Sequence, residues 1–201
     1  MFITIEGIDG SGKSTLAELV VALLRKNKKE TIWTREPGDW THGKAIRNIL
    51  LTGELKSELA ELLLFVADRC EHVKNVLEPA MAQGRIVVCE RYNDSTRAYQ
   101  CWGRGISRDK LEDLFLWCSF PEPDLTLLLD LDIEEAQQRV NKRSVEDRIE
   151  REQRRFHERV AEGFQELAKE YPQRIIRLDA HKSPSELVDE VAFLFRGRSL
   201  I

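Results

Sequence analysis

The chain has 201 residues, a formal net charge of −4, and 42% hydrophobic and 33% charged content. That composition suits one α/β domain spanning 1–201, large enough to bury roughly 70% of its unfolded surface. The acidic balance argues against a nucleic-acid coat protein, and no apolar run reaches membrane-spanning length. The N-terminus shows no basic and apolar leader, and Cys70, Cys89, Cys101 and Cys118 fall outside any C-x-x-C spacing. A cytoplasmic protein with reduced, mostly buried thiols and no membrane partner is the expectation.

Phe2 to Glu6 reads as a strand that runs into Gly7-Ile8-Asp9-Gly10-Ser11-Gly12-Lys13-Ser14, followed at once by a helical stripe of Leu16, Leu19, Val20, Leu23 and Leu24. Strand, Gly-x-x-x-x-Gly-Lys-Ser and helix in that order make a phosphate-binding loop. Its glycines let backbone N–H groups wrap a phosphate, and the helix adds its positive end. Gly7, Gly10, Ser11, Gly12, Lys13, Ser14 and Thr15 are therefore candidate contacts for the donor nucleotide. Lys13 is suited to the outer phosphates and the Ser14 hydroxyl to Mg²⁺.

A second strand, Thr31 to Thr34, stops at Arg35-Glu36-Pro37-Gly38. A long helix follows with Leu59, Leu62, Leu63, Val66, Cys70, Val73 and Leu77 on one face. Gly84 breaks it before the strand Ile86 to Cys89. A helix around Leu111, Leu114 and Phe115 leads through Pro121-Glu122-Pro123 to the strand Leu125 to Leu129. Helices with Ala136 and Val140, and then Phe156, Val160, Phe164, Leu167 and Tyr171, precede the last strand, Arg174 to Leu178. Ser183-Pro184-Ser185-Glu186 is a capping box that opens a terminal helix. Alternating helices and near-continuous apolar strands predict a five-stranded parallel sheet covered on both faces.

Such sheets bind ligands at the carboxyl ends of their strands. Asp9, Arg35, Glu36, Glu90 and Arg91 all follow strands, which suggests a second anionic substrate held by arginine and Mg²⁺ held near an acid. Asp132 is read as a helix cap rather than a metal ligand.

These segments resemble the thymidylate kinase family. The resemblance rests on Glu6 to Thr15, Thr34-Arg35-Glu36-Pro37-Gly38, Leu64-Phe65-Val66-Ala67-Asp68-Arg69, Glu90 to Gln100, Pro123 to Asp130 and Asp147-Arg148-Ile149-Glu150. It implies a P-loop NTPase fold with a small lid, ATP and Mg²⁺, and dTMP as acceptor. By resemblance, Phe65 stacks on the base, Arg69 bonds it, and Ser95 and Gln100 complete its recognition. Tyr99 crowds the sugar, Arg35 and Arg91 hold the dTMP phosphate, and Asp9 contacts the 3′-hydroxyl region. Glu90 with Ser14 positions Mg²⁺, and Ala180 approaches the donor adenine. Family members are homodimers, so a homodimer is expected here.

Some family members carry a basic residue in the loop where this chain has Gly10. The catalytic charge is then expected from a lid at about 139–151, with Arg143 and Arg148 as candidates and Arg139 next. Lys13, Asp9 and Arg91 complete the catalytic set. The chain departs from the family at Asp39-Trp40-Thr41-His42 and at Cys101-Trp102; the tryptophans reshape acceptor specificity or pack against each other. A GTPase lacks support because Asn141-Lys142-Arg143-Ser144 has no aspartate. A kinase for another nucleotide and a non-catalytic nucleotide switch remain the alternatives.

Overall fold

The structure, a computed structural model, describes residues 1–142 and 147–201. Five strands form one sheet: β1 (Phe2–Glu6), β2 (Thr31–Arg35), β3 (Ile86–Glu90), β4 (Leu125–Asp130) and β5 (Ile175–Asp179). The order is β2-β3-β1-β4-β5 and each neighbouring pair is parallel. β1, β3 and β4 are buried almost without interruption, whereas the edge strands β2 and β5 alternate with exposed positions. This contrast is what a sheet covered on both faces requires. Ligand-binding loops gather where the strand order reverses, and β1 sits there, between β3 and β4.

The helices are α1 (Lys13–Lys26), α2 (Gly43–Thr52), α3 (Glu58–His72), α4 (Glu78–Ala82), α5 (Asn93–Thr96), α6 (Arg108–Cys118), α7 (Ile133–Asn141), α8 (Arg154–Glu170) and α9 (Pro184–Gly197). Val73–Leu77 and Arg97–Gly103 are π-helical stretches. The larger core joins α1, α8 and α9 to β1, β4 and β5, with Leu16, Val20, Val160, Phe164 and Phe195 at its centre. A second core cluster lies between α3 and α6, built from Leu62, Val66, Leu111 and Phe115. The Ser183 capping box forms as the sequence predicts, and Asp132 caps α7 by accepting from Glu135 N at 2.9 Å.

Some assignments shift. In α1, Ala17 and Val21 are buried while Leu19 and Leu23 are only half-buried. In α3, Leu59 and Leu63 are exposed, and the buried face carries Glu61, Asp68, Arg69 and His72 beside Leu62 and Val66. Apolar periodicity cannot anticipate that, because polar side chains turn inward there to meet one another. Cys89 is buried, but Cys70, Cys101 and Cys118 are half-buried, so the thiols are less enclosed than composition suggests. Among the described residues no helix is long and apolar enough to cross a membrane.

Candidate active site

The loop after β1 closes tightly. Gly12 caps α1 at φ 97°, a left-handed turn that a side chain would strain. Gly10, at φ 82°, passes so near α7 that a Cβ would stand 2.4 Å from the Ala136 carbonyl oxygen. No side chain fits there, which explains why the loop carries no basic residue after Asp9. Lys13 folds over the loop, its Nζ donating to the Gly7 and Ile8 carbonyls at 3.1 and 2.8 Å. Burial, and then the neighbouring Arg91 charge, push Lys13 down to about 7. Ser11 is buried, and its hydroxyl finds no hydrogen-bond partner among the described residues.

The end of β3 supplies the facing wall. Glu90 accepts from the Ser14 hydroxyl at 2.7 Å and from the Trp33 indole at 2.8 Å. A hydroxyl and a carboxylate are hard oxygen donors of the kind Mg²⁺ takes. Arg91 then turns through the left-handed region at φ 61°. Backbone strain of this kind concentrates at functional sites. The turn aims its guanidinium back at Asp9, with which it forms an ion pair. Arg91 also lies 5.1 Å from the Tyr99 ring, and the Tyr99 hydroxyl donates to Asp9 at 2.7 Å. Burial alone would raise the Asp9 carboxyl, but Arg91, Lys13 and Tyr99 outweigh it and hold it at about 2.

From this loop a cleft of about 500 Å³ runs toward α3. Its lining includes Arg35, Arg47 and Arg91 as well as Phe65, Arg69 and Gln100. Arg47 is absent from the sequence-based candidates; Ile46 and Leu50, at helical spacing before Gly53, are the signal for the helix Gly43–Thr52 that carries it. Its guanidinium donates to the Pro37 carbonyl at 2.8 Å. Burial, Arg35 and Arg91 all lower its pKa, the mark of a site crowded with positive charge.

Arg69 is 2% exposed. Its guanidinium donates to Glu36 at 2.6 Å, Asn93 at 3.1 Å and Thr96 at 2.8 Å, which uses three of the five N–H groups a guanidinium carries. Glu36 is fixed from its other side by His72 at 2.9 Å. Ser95 donates to the buried Glu6 at 2.5 Å and accepts from Arg91 at 3.3 Å, so its hydroxyl is committed to the scaffold beside the cleft.

A family model described as thymidylate kinase matches residues 5–191. The chain belongs to the thymidylate kinase family. It is 48% identical to a thymidylate kinase of Synechococcus sp. (strain JA-2-3B'a(2-13)) over 93% of this chain and 90% of that one. It is 43% identical to a thymidylate kinase of Exiguobacterium sp., covering 95% and 92%. The crystal structure of thymidylate kinase from Ehrlichia chaffeensis superposes with a TM-score of 0.81 at 33% identity, covering 98% of each chain.

Within this thymidylate kinase fold the two tryptophan departures lie apart from the cleft lining and from each other. Trp40 donates to Asp68 of α3 at 2.8 Å, and the Gly38 amide donates to the same carboxylate at 2.9 Å. Trp102 packs on Gly163 of α8, where a Cβ would come within 2.9 Å of its ring. Trp40 fastens the segment after β2 to α3, and Trp102 packs the Arg97–Gly103 π-helical stretch against α8.

Arg139 and Arg148 of the basic segment are held by nearby acceptors. Arg148 donates to Glu61 at 2.5 Å and to the Leu50 carbonyl at 3.1 Å. Arg139 is bonded to Glu135 at 2.5 Å and to the Ala180 carbonyl at 3.1 Å. Ala180 itself is buried just past β5 and is not part of the cleft lining. Arg143 lies outside the described residues.

Proposed function

We propose that this protein transfers the γ-phosphoryl group of ATP to the phosphate of dTMP, giving dTDP and ADP in dTTP synthesis. The observation that carries the reading is the single cleft joining a phosphate loop, a cluster of arginines and an aromatic–guanidinium–amide pocket. In it the Phe65 ring stacks on the pyrimidine, and the two remaining N–H groups of Arg69 and the amide of Gln100 meet its edge. Tyr99, tied to Asp9 by its hydroxyl, stands at the sugar. Arg35, Arg47 and Arg91 take the acceptor phosphate, for which guanidinium forks are suited because they bond two oxygens at once.

An oxygen of the acceptor phosphate attacks the γ-phosphorus in line as the bond to the β-bridging oxygen breaks. Such transfers need positioning and charge neutralisation rather than covalent help. Lys13 exchanges its loop carbonyls for the outer phosphates, and Arg91 spans acceptor and donor. Ser14 and Glu90 would hold Mg²⁺, which when bound neutralises the phosphate oxygens. Arg143 remains the candidate for a further cation from a lid at 139–151, with Arg148 seating that segment. Ala180 contributes backbone on the adenine side.

The same reading includes a cytoplasmic homodimer of one-domain chains. Leu59 and Leu63 of α3 and Leu116 and Trp117 of α6 are exposed on two helices that share a core cluster, which supports an interface between copies there. A coupled ADP-release assay with ATP, Mg²⁺ and a panel of dTMP, dUMP, dCMP, CMP, AMP and GMP tests the activity. Preferred turnover of dTMP is expected, and preference for a purine acceptor sinks the reading.

A further inference from the structure

Glu61 sits in the first turn of α3, 3% exposed, and gathers three side chains from two separate segments, 97–104 and 147–150. Gln100 donates to it at 2.7 Å, Arg104 at 3.1 and 3.2 Å, and Arg148 at 2.5 Å. A carboxylate bonded by two guanidiniums offers its partners acceptors only. Gln100 must therefore turn its NH₂ toward Glu61, which leaves the amide oxygen on the other side. That oxygen is buried and has no hydrogen-bond partner among the described residues, in a side chain that lines the cleft beside Phe65 and Arg69. A lone acceptor in such a place needs a donor from the ligand.

We propose that Glu61 is a positioning residue that sets which base is accepted, by locking the Gln100 amide with its oxygen toward the cleft. This rests on the reading of the cleft as a dTMP site. Thymine and uracil both carry N3–H and satisfy the oxygen. Cytosine presents a bare N3, so two acceptors would face one another. Arg104 and Arg148 fill the remaining lone pairs of Glu61 and keep its charge compensated, so that the amide has no reason to turn. Because Arg148 belongs to the 147–150 turn, that turn and the base reader are tied to one anion.

The test is Glu61→Gln, which keeps the size but supplies an NH₂ that lets Gln100 turn over. The ratio of kcat/KM for dTMP over dCMP is expected to fall by about tenfold or more, since a site that reads a hydrogen bond rejects its analogue through the unpaired group. The ratio of dUMP over dTMP should stay unchanged, because both bases carry the N3 proton. In a Gln100→Leu background, Glu61→Gln should move neither ratio. A Glu61→Gln enzyme with the wild-type dTMP preference overturns the proposal. So does a parallel change of both ratios, which marks general loosening of the pocket. Glu61→Asp keeps an acceptor-only partner and is expected to retain the preference even with a raised KM; loss of preference there also overturns it. Wild-type preference for dCMP would overturn the dTMP reading itself, whereas wild-type preference for dTMP combined with an indifferent Glu61→Gln overturns Glu61 alone.

Discussion

Arg91 and Asp9 stand 82 positions apart in the chain and form an ion pair at the junction of the phosphate loop and the acceptor pocket. The pairing depends on the left-handed turn of Arg91 at the end of β3 and on the tight loop after β1, so it is a product of the sheet order rather than of either motif alone. Replacing Arg91 with Gln should leave the fold intact and lower kcat/KM for dTMP by about 10²–10³, the usual loss on removing one preorganised charge. Steady-state kinetics with a melting curve in parallel checks this; full activity in the variant would remove Arg91 from the mechanism.

Lys13 predicts a proton linkage. Burial takes its amine from 10.5 to about 7, so the amine is largely neutral at pH 8 when no nucleotide is bound. A triphosphate favours the charged form, and binding at pH 8 should therefore be accompanied by proton uptake. Calorimetry in two buffers of different ionisation enthalpy measures it directly, and Lys13→Met should abolish it. The same lowering has a sign for stability. The unfolded chain binds more protons at this group between pH 7 and 10.5, so its contribution makes the free protein more stable as pH rises through that window.

Much of this was readable from residue order. The strand–loop–helix at the N-terminus, the apolar β1, β3 and β4 segments and the Ser183 capping box are local signals, and each gives its element directly. Asp9, Arg35, Glu90 and Arg91 were legible because they follow strands, whereas Phe65, Arg69, Ser95, Tyr99 and Gln100 lie on helical segments and were legible through the family resemblance. Arg47 and Glu61 were not, for different reasons. Arg47 lies on a short helix whose stripe is only Ile46 and Leu50, with Ile49 exposed. Glu61 looks like a solvated charge at the start of an amphipathic helix, and its burial depends on Gln100, Arg104 and Arg148, none of them near in sequence. Long-range polar clusters leave no periodicity to read. The same holds for Arg69, whose burial reflects partners at Glu36, Asn93 and Thr96.

Asp94 carries a stability prediction. It is 1% exposed and bonded to Arg97 at 3.1 Å and to Arg174 at 2.6 and 3.0 Å. Asp94→Ala leaves the largely buried Arg174 guanidinium without its anion, whereas Arg97 keeps Glu112 at 2.8 and 2.9 Å. Breaking a buried pair from one side costs about 3–5 kcal/mol, and the urea unfolding midpoint should fall accordingly. A midpoint unchanged from the wild type would show that water reaches this cluster freely.

Arg148 separates anchoring from catalysis. Its guanidinium is held by Glu61 and by the Leu50 carbonyl, and its backbone amide donates to the Leu51 carbonyl at 2.8 Å. A group so placed seats the 147–150 turn against α2 and α3. Were it a transition-state cation, Arg148→Ala would lower kcat by about 10³–10⁵. As an anchor, its loss should mainly raise KM for both substrates and leave kcat within about tenfold, a change of roughly 1.4 kcal/mol in the barrier. Arg104 remains to compensate Glu61, so the variant should fold. Measuring kcat and KM separately decides the matter: a kcat collapse with KM unchanged would return Arg148 to the catalytic set and require its guanidinium to leave Glu61 during turnover.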